Sequence, residues 1–281
     1  MFDNHEISRR NLIMLGNLLT LGSALPVEAL AKDSHRTHSE HMQTMNSIPA
    51  DAPTVGILVY PQMVALDLIG PLTVFKISHF NSQLIWKNTQ PLCSDVGLSI
   101  VAEKTFAQCQ SDFDILFVPG GIMGTIACMR DPQVMDFLYQ KGSRAKWVTS
   151  VCTGGLVLAA AGLLKGYRAT THWAVADLLP LMGAIHTDQR VVFDGNRITA
   201  GGVTAGIDFA LELVAKIKGE ELAKRVQLVL EYSPVPPFHN GTPQEAGPER
   251  TAQMRDSRKS MDLQAKEAAL HAANRLGIKS S

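Results

Sequence analysis

Three short runs along the chain are apolar at nearly every position. Thr54 to Tyr60 (TVGILVY), Ile115 to Val118 (ILFV) and Trp147 to Val151 (WVTSV) are short and rich in β-branched side chains, the pattern of strands buried on both faces of a parallel sheet. Helical segments alternate with them. Asp131 to Arg144 opens with Asp131-Pro132, a capping residue followed by a proline that a first helical turn accepts, and Thr153 to Leu164 is rich in Ala and Leu. Strand and helix in alternation predict a doubly wound α/β fold, a mostly parallel sheet with helices on both faces. Two short strands are expected at Val191 to Asp194 and Arg197 to Ala200. Gly201 to Gly206 then leads into a helix reaching about Lys218, and Glu220 to Leu230 reads as another amphipathic helix.

The first 53 residues follow a different rule. Arg9-Arg10 precedes a mildly apolar run from Leu12 to Leu25, with small residues at Ala29-Leu30-Ala31, the order of a twin-arginine export signal. The run is short and interrupted by Asn17, Thr20 and glycines, which favours a removed leader (1–31) over a membrane anchor. Export would place the mature protein in the periplasm without stable membrane association. Residues 32–53 are polar and aperiodic, a linker. Its His35, His38 and His41 have no cysteine nearby and stand in a polar stretch without periodicity, so a solvated segment is preferred to a metal site. The main domain is expected over 54–238. From 239 to 281 the composition turns charged and Ala-rich, which predicts a peripheral helical tail.

The chain has 281 residues, 46% of them apolar, enough for one full core. Its 26 basic and 26 acidic side chains cancel, so nothing in the charge favours a nucleic-acid partner. Cys93, Cys109, Cys128 and Cys152 show no CxxC spacing, which argues against a zinc or redox motif and against a disulfide scaffold.

In a doubly wound sheet the functional crevice lies at the carboxyl ends of the strands, and three strand ends here carry unusual residues. The third run ends in Cys152-Thr153-Gly154-Gly155 before an Ala-rich segment. A thiol there has the ingredients of a nucleophile elbow, with glycines that permit the sharp turn and a helix N-terminus that favours the thiolate. The bland alternative is a buried small hydrophobe. The second run ends in Pro119-Gly120-Gly121, either an ordinary turn or a pair of backbone N–H groups aimed at developing negative charge, with the Thr153 amide as a further donor. After the first run comes Asp67 in an apolar stretch, either a helix cap or a general acid/base.

Five segments together resemble the ThiJ/PfpI superfamily, the class I glutamine-amidotransferase-like group. They are Leu66-Asp67-Leu68-Ile69-Gly70-Pro71, Val118-Pro119-Gly120-Gly121, Thr149 to Gly154, Ala169-Thr170-Thr171-His172-Trp173 and Gly201 to Asp208. The similarity runs from about Thr54 to Phe238 and implies a flavodoxin-like fold and a homodimer. Asp67, Cys152-Thr153 and Glu231-Tyr232-Ser233-Pro234 point to its isonitrile-hydrating branch. That branch implies a small-molecule isonitrile substrate, hydrated to an N-substituted formamide through a cysteine thioimidate without metal or organic cofactor. In those terms Cys152 is the nucleophile, Asp67 moves the proton, and Thr153 orients one of them. The chain departs from protease-like and glyoxalase-like members, which carry a Glu after the first strand and a His just after, or close to, the nucleophile; this chain has Asp67 and Thr153 instead. His172 is then the nearest imidazole, with either an accessory or a structural role. A ligand-sensing domain without catalysis and a glyoxalase or amidase on the same fold are the rival readings.

Overall fold

The computed structural model describes residues 48–278. The expected leader and most of the linker, including its three histidines, lie outside these residues. In chain order the elements are β1 (Thr54–Leu58), α1 (Ala65–Ile77), β2 (Asn81–Trp86), β3 (Leu92–Cys93), β4 (Ser99–Ile100), β5 (Lys104–Thr105) and β6 (Ile115–Val118). Then follow α2 (Ile122–Arg130), α3 (Pro132–Gly142), β7 (Trp147–Val151), α4 (Gly154–Ala160), β8 (Arg168–Ala169), β9 (Ile185–His186), β10 (Val191–Asp194) and β11 (Arg197–Ala200). The last three helices are α5 (Ala205–Lys218), α6 (Glu220–Val229) and α7 (Pro243–Arg275).

The main sheet has seven strands in the order β10-β11-β7-β6-β1-β2-β5. Every neighbouring pair is parallel except β10 and β11. The chain leaves β1 toward β2 on one side and returns to β6 on the other. That reversal makes the carboxyl ends of β1 and β6 the topological switch point, where such sheets bind ligands.

Adjacent residues of β6 show why both faces must be covered. Phe117 stacks on Phe209 of α5, with ring centroids 5.5 Å apart, and meets Phe75 of α1 edge-on at 6.2 Å. Leu116 points the opposite way, as strand geometry requires, toward Gly142 of α3, where a Cβ would come within 3.2 Å of it. All three aromatic side chains are fully buried, each contributing about 2 kcal/mol of hydrophobic stabilisation. The continuous apolar runs seen in the sequence are the consequence.

Two expected elements differ. The helix expected to reach Leu164 stops at Ala160, because Gly162 turns the chain with φ +78°. The tail is helical, with a kink at Gly247 (φ 76°), but its second half is not peripheral. Ala265, Ala268, Ala269, Ala272 and Ala273 line one helical face and are buried. Arg275 of α7 donates to the carbonyl of Ala160 at 2.8 Å. Small side chains let this helix close on the body of the domain.

Candidate active site

Cys152 follows β7 directly and has φ +54°, a left-handed conformation that is uncommon for a side chain with a Cβ and costs about 1–3 kcal/mol. Hydrogen bonds hold it there. Its N–H donates to the carbonyls of Gly201 (2.7 Å) and Ala200 (3.2 Å), and its own carbonyl accepts from Thr171 Oγ1 at 2.6 Å. Gly154 lets the turn close against β6, since a Cβ there would lie 2.2 Å from the Val118 carbonyl oxygen. Persistent strain of this kind is a mark of functional sites, and the elbow expected from the sequence is present.

Asp67 resolves its two expected roles by position. Helix α1 begins at Ala65, and its N-cap Val64 has no polar side-chain atom to accept a capping hydrogen bond. Asp95, from the β3–β4 hairpin, caps it instead by accepting the Ala65 N–H at 2.9 Å. Asp67 therefore sits inside the first turn with its carboxyl 0% exposed. Oδ2 accepts the Gly120 N–H at 2.8 Å, and no donor meets Oδ1 in hydrogen-bonding geometry. A half-satisfied buried carboxylate calls for explanation.

The two groups meet at Gly120. A Cβ on that glycine would lie 2.6 Å from the Thr153 nitrogen, 2.8 Å from Asp67 Oδ2 and 2.8 Å from Cys152 Cβ. Burial pushes the Asp67 carboxyl up to about 6, with Asp95 adding to it, while the Gly120 N–H and the Cys152 thiol pull it down. Burial, then the Asp67 charge, pushes the Cys152 thiol well above its ordinary value, and Thr153 opposes this without prevailing. The lowered thiol pKa expected from a helix N-terminus is therefore not found. Helix α4 has only seven residues, and the thiol, in a residue only 4% exposed, lies beside a carboxylate. At neutral pH the proton rests on sulfur and an ionised base stands next to it.

The glycine pair plays a different part from the one expected. The Gly120 N–H is taken by Asp67, and the Gly121 N–H donates to Thr153 Oγ1 at 2.8 Å. Neither amide is left to hold developing charge; both position the side chains that surround the thiol. The Thr153 amide faces the sulfur and remains a donor to it. Gly120→Ala is expected to lower turnover on the order of a hundredfold, because the added Cβ must displace Asp67 or the elbow by several tenths of an ångström. Steady-state kinetics beside a circular dichroism spectrum would check this, and an active, correctly folded variant would contradict it.

His172 lies one residue from the elbow contact made by Thr171. Its Nδ1 accepts the Ala174 N–H at 3.3 Å, capping the 3₁₀ turn Trp173–Leu178, and its ring packs at 5.7 Å on Trp173. Burial, then Arg258, lowers its pKa to about 4. It is neutral at pH 7, and it is not among the groups that shift Cys152. A surface cleft lined by Ala174, Asp177, Leu178, Arg255, Lys259 and Asp262 includes neither Cys152 nor Asp67.

Three residues of the site went unread in the sequence: Asp95, Tyr60 and Thr125. Thr153 Oγ1 lies 2.8 Å from Thr125 Oγ1, which lies 3.3 Å from Tyr60 Oη, and Tyr60 donates to the Pro119 carbonyl at 2.7 Å. No local pattern marks these partners, which are 28 to 65 residues apart.

Residues 53–216 match the DJ-1/PfpI family. The isonitrile hydratase of Pseudomonas putida is 49% identical over 193 residues, covering 68% of this chain and 84% of that protein. Protein DJ-1alpha of Drosophila melanogaster is 32% identical over 139 residues, 49% of this chain and 64% of that protein. The crystal structure of a ThiJ/PfpI family protein from Pseudomonas syringae matches with a TM-score of 0.75 at 42% identity, covering 80% of this chain and 94% of that one. With a strained cysteine at the carboxyl end of β7, beside the switch point of a flavodoxin-like sheet, and these relatives spanning most of its described residues, the chain belongs to the DJ-1/PfpI family.

Proposed function

We propose that this protein hydrates an isonitrile to an N-substituted formamide, with Cys152 as nucleophile and Asp67 as the group that moves protons. The observation that carries the reading is the convergence of the Cys152 elbow, Asp67 Oδ2 and the Thr153 amide on Gly120. The 49% identity to the Pseudomonas putida isonitrile hydratase supports the choice of substrate. An isonitrile presents a slender, linear head whose terminal carbon accepts a nucleophile, which suits a thiol in a residue only 4% exposed.

The ionised Asp67 takes the thiol proton as sulfur forms a bond to the terminal carbon, then delivers that proton to the same carbon. The product is a thioimidate, R–N=CH–S–Cys152. Asp67, again a carboxylate, removes a proton from water as its oxygen adds to that carbon, and passes the proton to nitrogen. The C–S bond then breaks, the hydroxyl proton returns to sulfur, and R–NH–CHO leaves. One water is consumed and the thiol is restored.

The test is turnover of alkyl and aryl isonitriles, with methylglyoxal alongside, by the purified protein. Formamide formation is the expected result. Binding without turnover would replace this reading with a ligand-sensing role, and preference for methylglyoxal would replace it with a glyoxalase. Two accompanying proposals rest on the leader and the family likeness. Arg9-Arg10 directs export to the periplasm, which equal cytoplasmic retention of the native chain and a double Arg→Lys variant would refute. The protein forms a homodimer, which light scattering showing only monomer would refute.

A further inference from the structure

Each hydroxyl in the chain Tyr60–Thr125–Thr153 owns one proton, and the partners at its ends decide where every proton points. The Pro119 carbonyl can only accept, so at 2.7 Å it claims the Tyr60 proton. Tyr60 Oη is then left to accept from Thr125. With its proton committed there, Thr125 Oγ1 accepts from Thr153 at 2.8 Å. The Gly121 N–H, a donor only, occupies one lone pair of Thr153 Oγ1. By elimination the Thr153 proton points to Thr125 and not to the Cys152 sulfur, which also lies within the hydroxyl's reach, and one lone pair of the Thr153 oxygen is left unclaimed. Tyr60, Thr125 and Thr153 are all buried, so bulk water does not scramble the order. Thr153 can donate to the sulfur only by giving up Thr125.

We propose that Tyr60 and Thr125 are positioning residues. By turning the Thr153 hydroxyl proton away from Cys152, they present the Thr153 oxygen as an acceptor for the water that hydrolyses the thioimidate. This rests on the hydration reading above. The attacking water has two protons to place. One goes to Asp67 Oδ1, the carboxylate oxygen without a donor, and the other is held by Thr153 Oγ1, which aims the water's oxygen at the carbon bonded to sulfur.

Thr125→Val keeps the shape and removes the acceptor, which frees the Thr153 proton to turn toward sulfur. Two readouts follow. In the absence of substrate, the pH midpoint for alkylation of Cys152 by iodoacetamide is expected to fall on the order of one pH unit, since the thiolate gains a donor. In turnover, kcat is expected to fall on the order of tenfold, the scale of one lost hydrogen bond to a reacting group. Mass spectrometry of the quenched reaction should show the Cys152 adduct accumulating. Thr125→Ser restores the hydroxyl and should restore all three measures. Should Thr125→Val fail to fold, Tyr60→Phe carries the same test, because it removes the acceptor that orders Thr125. An unchanged alkylation midpoint in a folded variant, or failure of Thr125→Ser to restore kcat, overturns the proposal. If the native protein hydrates no isonitrile, the substrate reading falls by itself, while the alkylation profile still decides which way the Thr153 proton points.

Discussion

Cys152→Ala is expected to abolish isonitrile hydration, with a loss on the order of a thousandfold or more, the scale seen when a covalent nucleophile is removed. Cys93 is exposed, and Cys109 and Cys128 are buried elsewhere in the fold. Burial holds the Cys128 thiol far above its ordinary value, so it cannot substitute. The fold should survive. Alanine adopts the positive φ at 152 at about the same cost as cysteine, and the backbone bonds to Gly201, Ala200 and Thr171 do not involve the sulfur. Formamide release measured beside thermal melts separates the two effects. Substantial residual hydration by a folded Cys152→Ala protein would remove Cys152 from the mechanism.

Asp67→Asn is expected to cost on the order of a hundredfold in kcat, the usual scale for a general acid/base, and to let a Cys152 adduct be trapped by mass spectrometry. Because the base form is needed and its pKa is raised to about 6, wild-type kcat/KM should fall as pH drops through that value. The Asn variant should lose that limb of the profile. Stability should move the other way. The folded pKa of Asp67 lies above its ordinary 3.8, so its contribution favours the fold at low pH and is lost as pH rises through about 6. Replacing it by Asn should raise the melting temperature near neutral pH, by up to about 3 kcal/mol in stability, offset in part by the new amide's unpaired N–H groups. Below the unfolded pKa the gain should vanish. His172→Ala is the control and should leave kcat within about threefold, the scale of a lost helix cap rather than of a lost proton carrier. If it harms turnover as much as Asp67→Asn in a folded protein, the assignment of roles is wrong.

Much of this architecture follows from local chemistry. The runs that became β1, β6 and β7 are apolar on both faces because helices cover both, and the capping pair Asp131-Pro132 begins α3 where expected, with Asp131 accepting from Gln133 and Val134. Strand β2, NSQLIW, was not legible, because polar and apolar residues mix in it without clean alternation. The buried face of α7 was also missed: alanines suit both a solvated helix and a tightly packed one, and only the approach of α2 and α4 distinguishes them.

At the site the division is sharper. The amino-acid sequence by itself determined the identity of the thiol, the carboxylate and the glycines, and the strand ends that bring them to one crevice, because backbone geometry and hydrophobic periodicity are local properties. Only the tertiary structure decided which hydrogen bonds those groups make and which protonation states they hold. The capping of α1 by Asp95 freed Asp67 to face the thiol. The amides of Gly120 and Gly121 went to side chains instead of substrate. The pKa of Cys152 rose where an elbow alone predicts a fall. Each outcome depends on burial and on partners tens of residues away, and desolvation and hydrogen-bond geometry exist only once the chain has closed around them.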